Sequence, residues 1–170
     1  MDGATVESVN RTDLKLIRCL QENPRASYAT MARATELSET TIRRRVEALI
    51  NDGVITPAMM PDTLRLGYPV TAFVALKIDV THRRAVASAI ANLPSVTYVA
   101  ETLGRYDVLL LVAEREVVGL TTFLEEQIAI LPGVRDTEVM VIPRTHKSMR
   151  AWRVPLDDNG DVAQRILAPK

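Results

Sequence analysis

Two short stretches hold side chains whose types and spacing suit chemistry. In Ser38-Glu39-Thr40-Thr41-Ile42-Arg43-Arg44-Arg45, three hydroxyls, one carboxylate and three guanidinium groups fall within eight residues. Hydroxyls and arginines at a helix N-terminus can hydrogen-bond base edges and phosphates, and the partial positive charge there favours a phosphate. The plainer reading of the same octet is a capped helix with a solvated Arg flank. The second stretch, Leu103-Gly104-Arg105-Tyr106-Asp107, joins two apolar runs. As a hairpin turn it uses the conformational freedom of Gly and the turn preference of Asp. As a ligand loop it offers backbone amides and Arg105 to a carboxylate, and Asp107 to an ammonium group. Spacing alone leaves both readings open and favours the turn.

Catalytic and metal-binding patterns do not emerge elsewhere. The seven glycines never pair at phosphate-loop spacing, and His82 and His146 are isolated. Nor does any Ser lie in a Gly-x-Ser-x-Gly elbow. A lone Cys19 permits no internal disulfide and, beside two scattered His, supplies no zinc set, so neither metal nor cofactor is expected. With 170 residues, 47% of them hydrophobic, the chain suits one domain or two small ones. Lys+Arg and Asp+Glu both number 21, so any DNA binding must come from a local arrangement rather than from an overall basic field. The longest apolar run, Val108 to Ala113, is too short to span a membrane, and the N-terminus lacks a secretory pattern. A cytoplasmic protein with no membrane partner is expected.

The elements that must position these stretches follow from periodicity. Thr12 is read as the cap of a helix with Leu14, Ile17 and Leu20 on one side, ending near Asn23-Pro24. Ser27 caps a second short helix to about Thr35 with Tyr28, Met31 and Ala32 inward. Ser38 caps a third, whose Ile42, Val46 and Leu49 fall at i, i+4 and i+7 before Asn51-Asp52-Gly53 ends it. Two short helices and a tight connection before the octet are what a helix-turn-helix demands. Val54 to Thr56 and Pro57 to Met60 are read as two short strands, and Pro61 to Leu64 as a helical turn leading to Gly67.

Beyond that linker the spacing changes to long apolar strands: Val70 to Asp79, Val96 to Leu103, Val108 to Glu114 and Val134 to Ile142. Between them lie helices at His82 to Ala91 (Val86 and Ile90 inward) and Val117 to Ile130 (Leu120, Phe123, Leu124 and Ile128 inward). Leu93-Pro94-Ser95-Val96 is echoed by Leu131-Pro132-Gly133-Val134, 38 residues on, each opening a strand after a helix. Two strand-helix-strand halves imply a ferredoxin-like βαββαβ sheet with both helices on one face. Apolar residues at consecutive positions of Val108 to Val112 suggest burial on both faces, hence a dimer packing sheet on sheet.

At this point the chain resembles the Lrp/AsnC, or feast/famine, transcription regulators. The features that carry the resemblance are Asp13-Leu14 with Ile17, Leu37-Ser38-x-x-Thr41-Ile42-x-x-Arg45-Val46-x-x-Leu49, and Gly53-Val54-Ile55. Leu66-Gly67, Gly104-x-Tyr106-Asp107 and Leu131-Pro132-Gly133-Val134 continue the match, so that it runs from about residue 9 to 147. The resemblance implies an α+β chain. Residues 9–60 would form a winged helix-turn-helix, 61–69 a linker, 70–147 a ferredoxin-like (RAM) ligand-responsive oligomerisation domain, and 148–170 a C-terminal extension. It also implies binding of double-stranded DNA, dimers assembling further, commonly to octamers, and an amino acid or related effector.

Carried over, Ser38, Glu39, Thr40, Thr41, Arg43, Arg44 and Arg45 fall on the recognition helix. Gly104, Arg105, Tyr106 and Asp107 fall on the effector loop, with Thr102 and Thr137 at its rim. Thr56 to Met60 departs from the family pattern in carrying no charge. A second function class, an amino-acid-binding regulatory subunit of a metabolic enzyme, shares the sheet domain but has no use for three arginines on a third helix.

Overall fold

The computed structural model describes residues 9–148 and 151–156. The polar N-terminal residues and most of the C-terminal extension lie outside the described residues. The chain forms two compact units, one holding residues up to Met59 together with those from Ser148 onward, the other Met60–Lys147.

The first unit is a three-helix cluster: α1 (Arg11–Glu22), α2 (Tyr28–Thr35) and α3 (Glu39–Asn51). Asn10 rather than Thr12 caps α1. Its side chain accepts the Asp13 amide at 3.1 Å while the Asp13 carboxylate accepts the Asn10 amide at 3.1 Å, a reciprocal capping box that starts the helix earlier than Thr12 allows. Ser27 and Ser38 cap α2 and α3 as read from the sequence, each accepting the amide three residues on at 3.2 Å. Leu16, Met31, Ile42 and Val46 form the small core, with Cys19, Leu20, Tyr28, Ala32 and Leu37 packed around it. Burying each of the large apolar side chains contributes about 1.5–3 kcal/mol.

Gly53, at φ +70°, ends α3. The two short strands expected over Val54 to Met60 are not formed. Pro57 has no amide to give a ladder, Met59 and Met60 are exposed, and Ile55 instead donates its amide to the Leu49 carbonyl at 3.1 Å. The turn leading to Gly67 is formed, closed by Tyr68 N–H to the Thr63 carbonyl at 2.9 Å.

The second unit is a four-stranded antiparallel sheet in the order β2-β3-β1-β4. Its elements are β1 (Val70–Ile78), α4 (Arg83–Ile90), β2 (Val96–Glu101), β3 (Val108–Glu114), α5 (Val117–Phe123) and β4 (Val134–Val141). Alternation along β1 sends Ala72, Val74, Leu76 and Ile78 to one face, where they meet Val86 and Ile90 of α4 and Leu120 and Phe123 of α5. α5 continues as one π turn, Leu124–Ile128, which still delivers Ile128 to the core; nothing in the apolar spacing signalled the change of pitch. The echoed tetrapeptides make the same turn, with Val96 N–H on the Leu93 carbonyl at 3.0 Å and Val134 N–H on the Leu131 carbonyl at 3.3 Å. The face away from the helices carries Phe73, Leu109 and Leu111, half-buried, and Tyr98 and Met140, each 42% exposed.

Candidate nucleic-acid interface and effector loop

At the start of α3, Ile42, Val46 and Leu49 are buried, and the 100° step of the helix turns Glu39, Thr40, Arg43 and Arg44 outward, where all four are exposed. Ser38 and Thr41 share a hydroxyl contact of 2.8 Å in the cap, so their polar groups are partly spent on the helix itself. The Arg43 guanidinium lies 5.4 Å from the centre of the Tyr28 ring, a cation–π contact that steadies a long side chain at the surface.

Arg45 has a different environment. Its Nη1 donates to Asp13 Oδ1 at 2.9 Å, and the Asp13 side chain is only 8% exposed. One carboxylate thus closes the α1 cap and ties α1 to α3. Among the octet's arginines, Arg43 and Arg44 face outward and Arg45 braces the unit.

In the sheet unit, residues 102–107 form the connection between β2 and β3. Gly104 takes φ +147°, with nothing within 4 Å of where a Cβ would stand. Arg105 is exposed and stacks on the Tyr106 ring at 5.2 Å. Thr102 closes the loop from within: its amide donates to the Asp107 carbonyl at 2.9 Å and its hydroxyl to the Tyr106 carbonyl at 2.7 Å.

Asp107 is buried, at 5% exposure, and both its oxygens are engaged. Oδ2 accepts the Ile78 amide at 2.9 Å and lies 3.1 Å from Lys77 Nζ, while Oδ1 accepts Arg83 Nη2 at 2.7 Å. The Ile78 amide, then the Lys77 ammonium, then the Arg83 charge hold its carboxyl below the usual carboxylate range. Two cations against one carboxylate leave a positive excess beside the loop.

The Tyr106 hydroxyl donates to a Glu138 carboxylate oxygen, and that bond pushes the phenol's pKa upward. Glu138 stands opposite Ala75 in the ladder and Thr137 opposite Leu76, so Thr137 lies on the other face of β4 from Glu138. The loop therefore brings together Gly104, Arg105, Tyr106 and Glu138, with Thr102 and Asp107 beneath them.

Comparison with known proteins now decides what these two units are. Residues 9–56 match a family described as winged helix-turn-helix DNA-binding, and residues 71–152 match the Lrp/AsnC ligand binding domain. The HTH-type transcriptional regulator FL11 of Pyrococcus horikoshii is 33% identical over 140 residues, covering 82% of this chain and 92% of that protein. The chain belongs to the Lrp/AsnC family. It is a DNA-binding transcriptional regulator with a ligand-binding domain, not an enzyme.

The fold of this Lrp/AsnC regulator is shared with AsnC of Escherichia coli (TM-score 0.77, 24% identity, 84% of this chain and 98% of that one). It is shared equally with a transcriptional regulator of Neisseria meningitidis solved in complex with L-Met (TM-score 0.79, 21% identity, 85% and 96%). None of the regulator's described helices is long and apolar enough to cross a membrane.

Four residues of this Lrp/AsnC regulator, Asn10, Lys77, Arg83 and Glu138, escaped the reading of its sequence. Asn10 and Asp13 were legible as an Asn-x-x-Asp capping pattern. Glu138 was legible from the alternation of β4, which puts it on the face opposite Thr137. The part Lys77 plays beside Asp107 had no local signal, because the two meet only through the pairing of β1 with β3.

Proposed function

We propose that this regulator reads operator DNA through Thr40, Arg43 and Arg44 of α3. Its DNA binding or assembly would be tuned by an amino acid or a related zwitterion held at Gly104-Arg105-Tyr106. The observation that carries the effector reading is the loop's pairing of opposite charges around an uncovered backbone. Gly104 leaves its neighbouring amides open, Arg105 and the positive excess at Lys77 and Arg83 suit a carboxylate, and Glu138 suits an ammonium. Asp107, with both oxygens taken, serves to position the loop rather than to receive the ligand. The L-Met complex of the meningococcal neighbour supports the same ligand class.

Dimerisation through the open sheet face belongs to this reading, as does a cytoplasmic location with the DNA. Phe73, Leu109, Leu111, Tyr98 and Met140 form a continuous apolar surface there, of a kind rare on monomers. Assembly of dimers into octamers would place several recognition helices on one DNA.

The test is a thermal-shift screen of the full-length protein against the amino acids, followed by calorimetry on any hit with wild type and Gly104→Thr. No neighbour would clash with the new side chain, so the fold persists with local strain of about 1–3 kcal/mol, while approach to the amides is blocked. Loss of ligand binding with DNA binding retained is the expected result. Wild-type ligand affinity in Gly104→Thr would remove the loop from the site.

A further inference from the structure

The residues that follow β4 return to the helical unit, and one of them is held there in a specific way. Both polar backbone groups of Val154 are taken by side chains of α1: Arg18 Nη1 donates to its carbonyl at 3.0 Å, and its amide donates to Gln21 Oε1 at 2.9 Å. Arg18 and Gln21 stand three residues apart, one turn along the same helix face. Arg18 is itself braced by Glu22, whose Oε1 lies 2.6 Å from its Nε.

Pro155 restricts Val154 to extended conformations, so the peptide reaches α1 already shaped for the clamp. Arg153, Val154, Pro155 and Leu156 are all half-buried. Contacts of this kind read the backbone of an extended segment, as strand addition does, and they need little of its side chains. The matched ligand-binding family ends at residue 152, so the clamp lies just past the part of the chain that the family model describes.

We propose that the Arg18–Gln21 face of α1 is a docking surface whose occupant is the chain's own segment Arg153–Leu156. The segment is then a working part of the DNA-binding unit rather than a loose appendage. Its seat is mechanically close to the recognition helix, because the α1 it grips is the helix that Asp13 ties to Arg45 of α3.

Hydrogen exchange of the full-length protein, resolved by peptide, tests this. Three variants are compared with wild type: Val154→Pro, which removes the donated amide; Gln21→Ala, which removes its acceptor; and Gln21→Glu, which keeps an acceptor in place. Val154→Pro and Gln21→Ala should each speed exchange in α1 on the order of fivefold, the equivalent of one net hydrogen bond of ~1 kcal/mol, with β1 and β3 peptides unchanged. Gln21→Glu should keep wild-type protection. Unchanged α1 exchange in both disrupting variants, or equal acceleration in the sheet unit, would overturn the docking.

Discussion

Arg44 and Arg45 are neighbours in sequence with opposite surroundings, one exposed and the other paired with Asp13, and that difference predicts two distinct mutant phenotypes. Arg45→Ala breaks the pair with a nearly buried Asp13 that also serves as half of the α1 capping box. It should cost about 1–3 kcal/mol of stability, visible as a lowered unfolding midpoint, and weaken DNA binding only through that loss. Arg44→Ala should leave the midpoint unchanged. In fluorescence anisotropy it should weaken binding, by about 1–3 kcal/mol for the operator if Arg44 reads a base, or equally on all sequences if it meets a phosphate.

Asp107 carries a pH signature. Its carboxyl is held below the usual range in the folded protein, chiefly by the Ile78 amide and then by Lys77. A depressed carboxyl contributes stability in full above the unfolded value of about 3.9, and that contribution fades as pH falls through the folded value. Melting curves of wild type and Asp107→Asn should therefore differ at neutral pH and converge as acid protonates the native carboxyl. A constant gap across the acid range would mean that the ion pairs are not what Asp107 supplies.

At the scale of elements, the turn that opens β4 carries a sharp constraint. Gly133 has φ +86°, and a Cβ there would meet the His82 ring at 2.7 Å, so backbone strain and overlap act together. Gly104 is also in the region that L side chains avoid, yet it faces open space. Gly133→Ala should thus destabilise by more than Gly104→Ala, the former by roughly 2–4 kcal/mol, as differential scanning calorimetry would show.

The same element shows what periodicity reveals. The Leu-Pro-x-Val echo placed both turns and both following strands, because turn chemistry is local and apolar alternation survives in a half-buried sheet. The three helices were legible for the same reason, Ile42, Val46 and Leu49 being a direct reading of helical pitch. In α1, however, the spacing Leu14, Ile17 and Leu20 passed over Leu16, which is fully buried while Leu14 and Leu20 are only half-buried. The cap at Asn10 was misplaced because Thr12 competes for it in composition, and only the reciprocal bond with Asp13 decides. The strands over Val54 to Met60 failed because apolar character without a partner strand does not make a ladder. In the loop, Gly104, Arg105 and Tyr106 were visible as local chemistry. Asp107 was visible as a charge but not as one already neutralised, since Lys77 and Arg83 reach it from distant parts of the chain.

For the whole molecule, the balance of 21 positive against 21 negative side chains puts weight on assembly. A unit offering only a few outward arginines makes few phosphate contacts, and each contact contributes about one unit to the dependence of affinity on salt. The proposed dimer would hold two such units on one DNA, where the second contact is favoured by effective concentration. Leu111→Glu places a charge at the centre of the open sheet face, and sedimentation at micromolar concentration should find the variant monomeric. Its DNA affinity should fall, with a salt dependence about half that of wild type. A dimeric Leu111→Glu protein would move the interface away from this face.

Trp152, the only tryptophan in the chain, sits two residues before the Val154 clamp and is 57% exposed, more open to solvent than a tail residue packed on its own domain would be. The molecule thereby carries an intrinsic optical reporter where the clamp forms. Indole emission responds to the polarity and motion of its immediate surroundings, so seating and release of the segment would register as a change in wavelength or anisotropy from a single site, without any attached dye. Stopped-flow recording of that emission while DNA or a candidate effector is mixed in would show whether the segment stays seated during binding.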